Sequence, residues 1–140
     1  LVPAFRKAAV SVYAAYWSND GPLKPGKIDF YKWNIDARKD VLIDKHHCSV
    51  FTNPKTHGHL QQNNKKHLLI CGFYTAYCVE ETVLDALDKG YKVSVLEDLT
   101  WNNGNISKDV IKEHKRSIKL MKRKGANIMS AKYALKTLCR

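Results

Sequence analysis

At 140 residues and 44% hydrophobic content, the chain can build one domain with a real core, and is too short for two. No apolar run is long enough to span a membrane, and four cysteines without a Cys-x-x-Cys spacing do not make a disulfide scaffold. The net charge of +11 is concentrated, because between Ser107 and Arg140 eleven Lys/Arg oppose only Asp109 and Glu113.

Residues 1–9, LVPAFRKAA, read as the end of a helix, and Val10 to Trp17 as a buried strand. Ser18 to Lys39 is a connection punctuated by turns at Gly21-Pro22 and Pro25-Gly26. Its Phe30, Tyr31 and Trp33 are expected to pack onto the body, since large aromatics bury much apolar area. Val41 to Asp44 is a short strand with Lys45 at its C-terminal end. The adjacent pair His46-His47 makes a poor metal clamp, because neighbours on a strand point to opposite faces. Thr52 to Asn64 is polar, and Pro54 and Gly58 limit any helix there to one or two turns.

The stretch from Leu68 to Asp98 organises the chain. Leu68 to Cys71 has the character of a buried parallel strand, and Gly72 turns the chain. A helical pattern runs from Thr75 to Lys89 with Val79, Val83, Leu84 and Leu87 on one face. Gly90 stands at the helix stop, and Tyr91 to Leu96 alternates as a second strand. The unit predicts a right-handed strand–helix–strand crossover. Residues 107–124 form an amphipathic helix with Ser107 as N-cap and Ile111, His114, Ile118 and Met121 on its apolar face. Ala126 to Ser130 reads as a last strand and Tyr133 to Leu138 as a closing helix.

Cys78 falls in the first helical turn after a buried strand. Unpaired N–H groups and the helix dipole favour an anion there, so a thiol tends toward thiolate. The alternative is a small buried hydrophobe, the commoner use of a lone cysteine. The segment GFYTAYCVEETVLDALDKGY carries Gly72, Thr75, Cys78, Val79, Thr82, Asp85, Ala86, Gly90 and Tyr91 in a pattern that closely resembles the active-site segment of the isochorismatase-like cysteine hydrolases. Lys45, Ser49 and Phe51 in DKHHCSVF fall on a second motif of that family.

The resemblance implies a three-layer, Rossmann-like α/β fold, a mainly parallel sheet with flanking helices, in one domain over residues 1–140. It implies Cys78 as nucleophile and Lys45 as the triad lysine. An oxyanion-binding backbone loop spans Tyr74, Thr75, Tyr77 and Cys78, with a cis peptide at Phe73–Tyr74. The substrate would be a small amide or vinyl ether. The family's first strand, which carries the acidic triad member, has no counterpart in the sequence, so the domain is expected to be N-terminally incomplete and its status as an enzyme stays open. No metal or other cofactor is expected, and Asp98 falls on a structural acidic position.

A second class is left open by the charge. Lys108, Lys112, Lys115, Lys119 and Lys122 recur every three or four residues and form one stripe, flanked by Arg116 and Arg123. Such a stripe is often no more than a solvated face. It also suits a catalytically degenerate fold reused as a basic subunit of an assembly such as an organellar ribonucleoprotein, with RNA on the 107–140 face. A second copy of the chain is a further candidate partner. The cysteines read as reduced thiols, which points to an intracellular site, cytoplasmic or mitochondrial.

Overall fold

The structure, a computed structural model, describes residues 2–17, 35–36, 38–102 and 107–137. Phe30, Tyr31, Trp33 and Cys139 lie outside the described residues. Helix α1 (Val2–Lys7) leads to β1 (Tyr13–Trp17), and β2 (Val41–Lys45) pairs with β1 in parallel, Tyr13 opposite Val41 and Trp17 opposite Lys45. Arg6 of α1 grips Asp40 just before β2 with both arms of its guanidinium, Nε lying 3.0 Å from Oδ1. Burial works against the Asp40 charge, but Arg6 and the Asp36 N–H outweigh it and hold the carboxyl below its ordinary range.

A single tight turn, Val50–Thr52, precedes α2 (Pro54–Gln62). This helix is nine residues long, more than the one or two turns the sequence suggests. The reason is local. Pro54 occupies the first turn, where its missing N–H costs nothing, and Asn53 caps the Lys55 N–H.

Strands β3 (His67–Phe73), β4 (Lys92–Trp101) and β5 (Asn127–Met129) form a second parallel sheet in that order. Between β3 and β4 the chain turns through Thr75–Val79 in a π-helical turn and continues as α3 (Glu80–Asp88). Helix α4 (Lys108–Arg123) joins β4 to β5, and α5 (Ala131–Thr137) follows. Strand β4 runs past the predicted end at Leu96. A register shift between Ile70 and Gly72 lets Thr100 and Trp101 pair with Gly72 and Phe73.

Alternation along β4 divides the core into two layers. Val93 and Val95 pack with Val79, Val83 and Ala86 of the Cys78 segment and with Met121 of α4. Leu96 faces the other way, onto Ala131 and Ala134 of α5 and Phe5 of α1. Helices thus cover both faces of β4, the arrangement that buried parallel strands require. Among the described residues, β1–β2 and β3–β4–β5 are two separate hydrogen-bonded sheets.

Candidate active site

The C-terminal ends of β2 and β3 converge. Lys45, the last residue of β2, is 6% exposed, and its Nζ lies 3.3 Å from Cys78 Sγ. The same ammonium donates to the His47 carbonyl at 3.0 Å and stands 4.7 Å from the centre of the Trp17 ring. Among the described residues, no carboxylate pairs with it.

The turn carrying Cys78 is fixed at several points. The Phe73–Tyr74 peptide is cis, as expected. Thr75 is fully buried, its Oγ1 2.9 Å from His114 Nδ1 on α4. The Ala76 N–H donates to Asn102 Oδ1 at 2.7 Å, and the amide of Asn102 in turn donates to Glu113 Oε2 at 2.8 Å. The Tyr77 N–H is turned to the Tyr74 carbonyl at 3.2 Å. On the inner face, Thr82 Oγ1 accepts the Val50 N–H at 3.2 Å, which ties α3 to the segment after β2. Ser49 is buried and caps that segment through the Phe51 N–H, and Phe51 stacks on Tyr91 at 5.8 Å.

Asn102, Glu113 and His114 are parts of this site that the sequence reading did not assign to it. Their only signal was indirect: His114 on the apolar face of α4, and Glu113 among lysines. Asp98 holds a structural post, accepting the Ala131 N–H at 2.9 Å at the start of α5. Trp17, Phe73, Tyr74 and Tyr77 are each about half exposed on the strand ends and the turn around Cys78.

The basic residues sit apart from this pair. Lys112, Lys115, Arg116, Lys119, Lys122 and Arg123 are all exposed on α4, and Arg116, Lys119, Lys122 and Arg123 line one open groove. Arg116 alone among them has a carboxylate partner within the described residues, Glu80 at 3.4 Å. Among the described residues, no group of three His, Cys, Asp or Glu is placed to hold a metal ion, and no helix is long and apolar enough to cross a membrane.

The family model for the isochorismatase domain matches residues 1–132. The chain belongs to the isochorismatase family. Among its isochorismatase relatives, the secreted isochorismatase effector of Phytophthora sojae is 32% identical over 105 residues, which cover 73% of this chain and 47% of that protein. Isochorismatase family protein 1A of Dictyostelium discoideum is 33% identical over 90 residues, 63% of this chain and 43% of that one. The chain therefore spans half or less of the length of these curated isochorismatase relatives. In three dimensions it is similar to an isochorismatase from Pseudomonas putida, with a TM-score of 0.76, 22% identity, and 94% of this chain and 72% of that chain covered. It is also similar to the nicotinamidase of Bacillus subtilis, with a TM-score of 0.73, 19% identity, and coverage of 91% and 78%. At these identities the structural likeness speaks for the isochorismatase-like fold.

Proposed function

We propose that this chain carries the nucleophilic part of a cysteine hydrolase that acts on a small amide or vinyl ether. The observation that carries the reading is the buried Lys45 ammonium 3.3 Å from Cys78 Sγ with no carboxylate partner among the described residues. An ammonium in that position favours the anionic sulfur, the form that attacks carbon. The sulfur adds to the substrate carbon, and the N–H of Cys78 is the donor for the developing negative oxygen, those of Ala76 and Tyr77 being already engaged. The half-exposed aromatics Trp17, Phe73, Tyr74 and Tyr77 suit a planar substrate. Among the described residues, no carboxylate pairs with the Lys45 ammonium to serve as the acid that the resemblance calls for.

The test is hydrolysis of a panel of small amides and vinyl ethers by the purified chain and its Cys78→Ser and Lys45→Met variants. Loss of turnover in both is expected. Turnover that survives Cys78→Ser overturns the reading.

A second reading rests on α4. Its lysine stripe is exposed and almost free of acidic partners, which suits a non-catalytic subunit lying on RNA phosphates, in an assembly of ribonucleoprotein type. RNA binding measured across a salt series, with Lys112, Lys115, Lys119 and Lys122 changed to Glu, separates the two. Each lost phosphate contact flattens the log–log salt slope by about 0.7. An unchanged slope removes this second reading.

A further inference from the structure

Cys48 lies three residues beyond Lys45, on the segment between β2 and the turn Val50–Thr52. Two contacts bind this segment to the Cys78 helix. On one side Lys45 Nζ meets Cys78 Sγ at 3.3 Å, and on the other the Val50 N–H meets Thr82 Oγ1 at 3.2 Å. Thr82 follows Cys78 by four residues, so both contacts grip one helical face and Cys48 is held between them. After burial itself, Cys78 is the group that acts most strongly on its thiol. The segment is well fixed. Ser49 is 2% exposed, and Thr56 Oγ1 donates to the Val50 carbonyl at 2.8 Å.

We propose that Cys48 is the resolving partner of Cys78, and that a hydroperoxide converts the two thiols into a disulfide that closes the site. The proposal rests on the reading of Cys78 as the activated sulfur. The Cys78 thiolate attacks one oxygen of hydrogen peroxide. A sulfur–oxygen bond forms, the oxygen–oxygen bond breaks and hydroxide leaves, so Cys78 is oxidised to a sulfenic acid and the peroxide is reduced. The Cys48 sulfur then attacks the Cys78 sulfur. The disulfide forms, the sulfur–oxygen bond breaks, and the departing hydroxide takes the Cys48 proton and leaves as water. Desolvation, with Cys78 and Glu81 nearby, pushes the Cys48 thiol up, so it keeps its proton until this second step. Cys71 stands on β3, away from the segment that joins the pair. While the disulfide stands, no sulfur is free to attack a substrate and Cys78 is shielded from further oxidation. A small thiol reductant reverses it.

The experiment treats the full chain with hydrogen peroxide at neutral pH, blocks free thiols, and maps disulfides by mass spectrometry. The expected product is a Cys48–Cys78 linked peptide, lighter by two hydrogen atoms and restored by dithiothreitol. In a Cys48→Ser variant, dimedone should trap Cys78 as sulfenic acid, and excess peroxide should drive it to a sulfinic acid that dithiothreitol does not reverse. Separate alkylation of Cys48 and Cys78 in peroxide-treated wild type overturns the proposal, with no need of the variant. If Cys78→Ser abolishes hydrolysis while peroxide gives no linked peptide, the pairing alone falls. If Cys78 is inert to both peroxide and alkylation, the nucleophile reading falls with it.

Discussion

Lys45 is held by a carbonyl, an aromatic face and a sulfur, and only the sulfur can carry a full negative charge. An ammonium buried to this degree costs several kcal/mol of desolvation unless something compensates it. The proposed function supplies that compensation at the Cys78 sulfur. In Lys45→Met that hydrogen bond, worth ~1.5–3 kcal/mol for a charged donor, is lost. Alkylation of Cys78 by iodoacetamide should slow by about tenfold or more. Folding stability should hold or rise, because Met fills similar volume without a charge to desolvate. A competition experiment in the wild type makes a linked check. Desolvation raises the Cys48 thiol, so a limiting electrophile should label Cys78 before Cys48. Labelling of the two at one rate would leave Lys45 without the role given to it.

The turn that presents Cys78 is fastened to its neighbours by side chains from two other elements. Asn102 is 3% exposed and links the Ala76 N–H to Glu113, so Asn102→Ala strands both partners. The expected cost is about 1–3 kcal/mol, read from urea unfolding, with a fall in Cys78 alkylation rate as the turn loses its brace. Ser107 caps α4 through the Val110 N–H, and Ser107→Ala should cost about 1 kcal/mol with no change in Cys78 reactivity. The contrast tests whether the brace acts on the site or merely on stability. Lys45, Cys78 and the turn between Gly72 and Val79 were legible because each lies in a short local pattern. The brace was not, since Ala76 and Asn102 are 26 residues apart and Thr75 and His114 are 39 apart. Helical periodicity could put His114 on the apolar face of α4, but not name what that face meets. The extension of β4 to Trp101 was equally hidden, because it depends on a register shift in which four residues of β4, Leu96 to Leu99, pass while β3 advances by Cys71 alone.

At the scale of the whole molecule, pH should act through two histidines. Burial pushes both His67 and His114 below the ordinary value of 6.5. His67 faces Ser94, with Lys92 adding to the shift, and His114 faces Thr75 and Trp101, with Glu97 opposing it. On acidification the unfolded chain takes up these protons before the folded one does, so stability rises with pH in that window. It should be complete above the ordinary value of 6.5 and fall as pH drops through the lowered folded values. Urea midpoints measured along that range should drift downward, and His67→Gln with His114→Gln should flatten the drift. A midpoint that rises on acidification would contradict the assignment. The division of the strands into two sheets has its own consequence. Amides of Val93 to Leu96, whose side chains reach both core clusters, should exchange their hydrogens only through global unfolding. Those of Tyr13 to Trp17 and Val41 to Lys45 belong to a two-stranded sheet with no ladder to the other three strands among the described residues, and should exchange through a cheaper, partial opening. Lys45 rides on one of these cooperative units and Cys78 on the other. Their 3.3 Å contact is thus a docking equilibrium as much as a fixed geometry, and conditions that undock the small sheet should part Lys45 from Cys78 while most of the protein remains folded.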